Sequence, residues 1–106
     1  MNSRTPTGEL IGYVGVQQLH DGVIVKIDNS DDRMQVSVRS ENGAIYAVSF
    51  FGVRSSSLNK PEGMTLYGLA ETKGEGGGRH FVFVNWDEED DAYFEVCADD
   101  YAIAAC

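Results

Sequence analysis

In Gln18-Leu19-His20-Asp21-Gly22-Val23-Ile24-Val25-Lys26-Ile27 a loose lead-in gives way to a strongly strand-like run. Before it, Leu10, Ile11, Tyr13, Val14 and Val16 are interrupted by Gly12 and Gly15. Glycines inside a run oppose a helix, so an irregular lead-in with room for a short strand is predicted there. From Val23 the chain becomes β-branched. Val23, Val25 and Ile27 fall on one face of an extended strand, and Ile24 and Lys26 on the other. Asp21-Gly22 reads as the turn that opens this strand, because Asx side chains bond local backbone groups.

Downstream the same period of two recurs. Asp28-Asn29-Ser30-Asp31-Asp32 is turn chemistry, and Met34, Val36 and Val38 then alternate with Gln35, Ser37 and Arg39. Asn42-Gly43 is a strong hairpin signal, since both residues tolerate a positive φ. Tyr46, Val48 and Phe50 share the next buried face. An antiparallel meander of three strands from His20 to Phe51 follows. Gly52 to Gly63 reads as a connection anchored by Val53 and Leu58. Further strands are predicted over Met64–Glu71, His80–Trp86, Tyr93–Ala98 and, shorter, Tyr101–Ala104. Gly74-Glu75-Gly76-Gly77-Gly78 opens a strand rather than a helix, so it reads as a hairpin tip and not a phosphate cradle. The expected fold is all-β: an antiparallel meander forming a small sandwich or partly open barrel of about six to seven strands.

The run Leu19-His20-Asp21-Gly22-Val23-Ile24, the hairpin after it, and Tyr46-Ala47-Val48-Ser49-Phe50-Phe51-Gly52-Val53 carry a resemblance. They are similar to small bacterial all-β domains of largely unknown function that open with a Leu/Phe-His-Asp strand, some of them immunity-like. The likeness covers Leu19 to Asp100. It implies a meander-built fold and an accessory or partner-binding role, and it brings no catalytic residues with it. Gly22 departs from the group, where a small polar residue or alanine is common, and the glycine-rich hairpin departs from it too.

The 106 residues are expected to form a single domain, 1–106, with a frayed polar start at 1–8. With 42% hydrophobic residues the chain has enough apolar side chain for a core, and no apolar run reaches the length of a membrane span. The formal charge of −9 argues against nucleic acid and anionic membranes and favours a basic protein partner or a cation. A cytoplasmic setting with two free thiols, Cys97 and Cys106, is expected, as is the absence of a cofactor. Homodimerisation through sheet edges is a further option.

Three places invite chemistry. His20-Asp21 pairs a titratable ring with a carboxylate. Adjacent strand residues point to opposite faces, so the two are expected to diverge. His20, Asp21 and His80 would make a ligand or metal site, with hydrolytic potential, only if the hairpins brought them together. Asp87-Glu88-Glu89-Asp90-Asp91 is an acidic turn, followed by Glu95, Asp99 and Asp100, with no Lys or Arg after Arg79. It lacks the spacing of a calcium loop and reads instead as a partner-binding surface. Ser55-Ser56-Ser57 lacks a nucleophile elbow, and Cys97 reads as an inert wall residue. Tyr13, Tyr67, Tyr93, Tyr101 and Trp86 are numerous enough for exposed aromatics to form a ligand mouth, though most are expected to pack in the core or on the sheets. A non-enzymatic binding module is the leading functional reading. A small-ligand or metal-binding barrel is the alternative.

Overall fold

Alternating β-branched and aromatic residues, cut by Asx and glycine turns, build strands throughout the chain. The computed structural model describes residues 10–14, 19–72, 78–87 and 89–105. The expected frayed start, most of the glycine run, Glu88 and Cys106 lie outside that set. Nine strands occur among the described residues: β1 (Leu10–Val14), β2 (Val23–Ser30), β3 (Arg33–Arg39), β4 (Ile45–Phe51), β5 (Ser55–Asn59), β6 (Leu66–Thr72), β7 (Arg79–Asn85), β8 (Tyr93–Ala98) and β9 (Asp100–Ala105). They form two antiparallel sheets, one of five strands in the order β1-β6-β7-β8-β5 and one of four in the order β2-β3-β4-β9. No helix among the described residues is long and apolar enough to cross a membrane.

The β2-β3-β4 meander forms as its alternation dictates. Met34, Val36 and Val38 face Phe50, Val48 and Tyr46 in register. Gly43 takes a φ of 93° in the hairpin, where a side chain would be strained. Asn42 is not left-handed. Its side-chain oxygen instead accepts from the Ser40 hydroxyl and the Ala44 amide.

The face assigned to β2 is corrected. Ile24 is opposite Val38 and Lys26 is opposite Ser37, so Val25 is an extra residue, a β-bulge. The inner set is therefore Ile24 and Ile27 rather than Val23, Val25 and Ile27. The turn is also shorter than expected. β2 runs to Ser30, and only Asp31-Asp32 close the hairpin, with Asp31 at a φ of 49°. The strand count exceeds six to seven because the stretch read as a connection contains β5 and the lead-in contains β1. β5 escaped notice because Ser55-Ser56-Ser57 is not strand-like by composition, and its pairing with Cys97, Val96 and Glu95 of β8 supplies the order.

Between the sheets sit Phe50, Phe81, Phe83 and Phe94, all essentially inaccessible. Phe83 stacks on Phe94 at 4.8 Å, and Phe50 meets Phe81 at 5.2 Å and Phe83 at 5.9 Å. Each such ring contributes about 1.5–3 kcal/mol of transfer free energy. Val53 packs on this core as expected, whereas Leu58, on the edge strand, is exposed.

The sheets are joined at both sides. At one, the Asp21 amide bonds the Leu66 carbonyl, the Leu66 amide bonds Gly22, and Ile24 exchanges bonds with Met64 and Gly63. At the other, the Asp99 amide bonds the Phe51 carbonyl and the Arg54 amide bonds Cys97. The architecture is a sandwich whose corners are stitched.

Candidate functional site

Asp21 has a φ of 64°, so His20 and Asp21 lie in a turn and not on a strand. The alternation that would separate them does not apply. His20 Nε2 lies 3.7 Å from Asp21 Oδ2, and the expectation of divergence is overturned. His20 Nδ1 donates to the Tyr67 carbonyl at 2.7 Å, and its ring meets the Tyr67 ring edge-on at 5.2 Å. Both side chains are well exposed, and they tie the turn to the start of β6.

His80 is elsewhere. It is the second residue of β7, beside Thr72 at the end of β6, five positions from Tyr67. At the strand rise this puts it on the order of 15 Å from His20. His20, Asp21 and His80 are not brought together, and no group of three or more His, Cys, Asp or Glu among the described residues is arranged to hold a metal ion.

His80 instead bridges three strands. Its Nε2 lies 3.1 Å from Glu95 Oε1 on β8, and its Nδ1 lies 2.7 Å from Thr72 Oγ1. A carboxylate only accepts, so in the neutral ring Nε2 carries the proton and Nδ1 accepts from the threonine hydroxyl. The order hydroxyl, imidazole, carboxylate is that of a nucleophile relay. Thr72 is 1% exposed, however, so its oxygen is closed to a substrate. The trio is a satisfied polar network on the outer face of the five-stranded sheet. Cys97, opposite His80 in the β7–β8 register, shares that face and is half-buried, so it is not a wall of the core.

A second network closes this end of the sandwich. Arg79 donates Nε and Nη2 to the two oxygens of Glu71 at 2.9 and 2.8 Å, and Nη1 to Asp100 at 3.1 Å. Its guanidinium also lies over the rings of Phe81 and Tyr101. The hydrogen bonds from Arg79 hold the Glu71 carboxyl below the ordinary carboxylate range although burial opposes the shift. The pairing raises Arg79 in turn.

The acidic turn lies at the opposite end of that sheet, between β7 and β8. Its backbone is held from within. Asn85 Oδ1 accepts from the Asp87 amide, Asp87 Oδ1 from the Glu89 amide, and Asp90 Oδ1 from the Ala92 amide. Asn85 Nδ2 reaches both Asp90 and the Ala92 carbonyl. Asp87 and Asp90 thus shape the turn, leaving Glu89 exposed and Asp91 in a loose pair with Lys60 at 3.6 Å. Segments 19–22, 58–67 and 85–93 meet here. Among the described residues they contain one lysine, Lys60, against six carboxylates: Asp21, Glu62, Asp87, Glu89, Asp90 and Asp91.

Three of the aromatics that the sequence offers for a ligand mouth join this end. Tyr67, second in β6, is the extra residue of a bulge, Trp86 follows β7, and Tyr93 starts β8. They are 48%, 55% and 37% exposed, contrary to the expectation of packing, while Tyr101 does pack on the core. A usable signal was present, since Trp86 and Tyr93 flank the acidic turn at the base of one hairpin. No family model, curated protein or solved structure matches the chain.

Proposed function

We propose that this chain is a non-enzymatic protein-interaction module that receives a basic partner at the end of the five-stranded sheet carrying Asp87–Asp91. The observation that supports it most is the charge imbalance there, one lysine against six carboxylates among the described residues, on a turn already ordered by its own hydrogen bonds. A fixed surface of one sign speeds encounter with the opposite sign and rejects like charge. The role agrees with the partner-binding expectation from the resemblance to the immunity-like β domains.

Affinity capture from lysate tests it. A partner should be retained at 50 mM salt, released by 500 mM salt, and lost in the Glu89→Lys/Asp91→Lys variant. Those two side chains do not build the turn, so folding is kept. Retention by that variant equal to the parent would sink the reading.

A second reading concerns a second copy of the chain. β9 pairs only with β4 among the described strands, and Tyr101–Ala105 carry no charge, so this edge lacks the charged residues that block pairing. Light scattering distinguishes monomer from dimer, and Ala104→Lys should dissolve a β9-mediated dimer.

A further inference from the structure

The four large hydrophobic side chains exposed among the described residues are Leu58, Tyr67, Trp86 and Tyr93. All belong to one end of one sheet: the end of β5, the start of β6, the residue after β7 and the start of β8. Scattered exposed rings need no explanation, but clustered ones mark interaction surfaces. The registers show how they cluster. Gly68 is opposite Val84, Asn59 is opposite Tyr93, and Phe83 is opposite Phe94. Continuing the last pairing places Val84 beside Tyr93. One row across β6, β7, β8 and β5 on the outer face is therefore Gly68, Val84, Tyr93 and Asn59, with Tyr67 and Trp86 flanking it. Gly68 adds no side chain to that row, and His20 braces Tyr67 through its ring and its carbonyl.

Two half-buried rings elsewhere lie under arginines: Phe51 under Arg33 at 5.0 Å and Tyr101 under Arg79 at 5.2 Å. Segments 19–22, 58–67 and 85–93 contain no arginine. The exposed rings of Trp86 and Tyr93 thus sit beside an excess of carboxylates, on segments that carry no arginine. A guanidinium is planar, stays charged, stacks on rings and forks onto carboxylates, which a lysine ammonium does not do.

Resting on the reading of this end as a basic-partner surface, we infer that Trp86 and Tyr93 hold an arginine-bearing extended segment of a protein partner, its guanidinium groups lying on the rings and reaching Glu89 and Asp91. The rings select arginine over lysine, and the carboxylates set attraction and salt dependence.

Trp86 is the single tryptophan of the chain, so its fluorescence reports from the site itself. The probes are two synthetic peptides of equal length and charge, one alternating arginine with glycine and the other lysine with glycine. They are titrated into the full chain at 50 mM salt. The arginine peptide should shift the Trp86 emission and bind at least about 5-fold more tightly than the lysine peptide. By calorimetry, Trp86→Ala should remove most of that preference, Trp86→Phe should restore part of it, and Glu89→Gln/Asp91→Asn should weaken both peptides alike. Equal binding of the two peptides, unaffected by Trp86→Ala yet lost in the charge variant, overturns the ring-based selection and leaves the basic-partner reading standing. Binding of neither peptide overturns both.

Discussion

Glu71 is the residue whose titration the fold most clearly uses. Arg79 holds its carboxyl below the ordinary range, so the folded chain binds that proton more weakly than the unfolded chain does. The bridge therefore contributes fully above the unfolded-state pKa, and its contribution is lost as pH falls through the lower folded-state value. Urea denaturation from pH 7 to pH 3 should show stability declining at the acid end. Glu71→Gln should lower stability at pH 7 by about 1–3 kcal/mol and flatten the decline; an unchanged slope would count against the assignment. Gly22 is a second test at this scale. A Cβ there would stand 2.6 Å from Val38 Cγ1 and 3.1 Å from the Leu19 carbonyl. Gly22→Ala is expected to cost about 1–3 kcal/mol through overpacking, read as a lower urea midpoint at constant m. The glycine at the head of β2 is thus explained by close approach and needs no ligand.

At the scale of elements, the bulges decide which side chains enter the core. Because Val25 is the extra residue in β2, deleting it leaves Ile24 and Ile27 facing inward. Deleting Gln35 from the regular strand β3 instead turns either Met34 or Val36 to the outside. The Val25 deletion should keep native far-ultraviolet circular dichroism at a cost of roughly 1–2 kcal/mol, whereas the Gln35 deletion should unfold the domain. Comparable stability of the two would refute the register. The three-strand meander was legible because each of its strands repeats with period two and each turn is local. β5 was not, since its serines gain order from β8 more than 30 residues away in the chain. His20-Asp21 was misread for a related reason: the alternation rule assumes an extended backbone, and Asp21 is left-handed.

The whole molecule divides its charge unevenly. Arg79 and Arg54 pair with Glu71, Asp99 and Asp100 at one end of the five-stranded sheet, while the described segments at the other end carry one lysine against six carboxylates. Trp86 senses that field. Each quenching constant is divided by that for free N-acetyltryptophanamide at the same low salt. The ratio for caesium should exceed that for iodide, and Glu89→Gln/Asp91→Asn should bring the two ratios together. Equal ratios in the parent chain would show that the field is absent. The total of −9 also repels itself. Between 10 mM and 1 M salt the Debye length falls from about 30 Å to about 3 Å. The Tm should rise over that range, and less so in the neutralised variant.

The all-β class, the central hairpins, the core residues of β3 and β4, and the acidic balance follow from side-chain period, turn chemistry and summed charge, which neighbouring residues carry unaided. The two strand orders, the bulges at Val25 and Tyr67, the separation of His80 from His20, and the meeting of Tyr67, Trp86 and Tyr93 with the acidic turn arise on folding. Those depend on which distant strands pair and in which register, and that is set by closing one core between two sheets. The Leu19-His20-Asp21-Gly22 turn shows both halves: its residue types announced a turn, and its bonds to Leu66 and Tyr67 made it a corner of the sandwich.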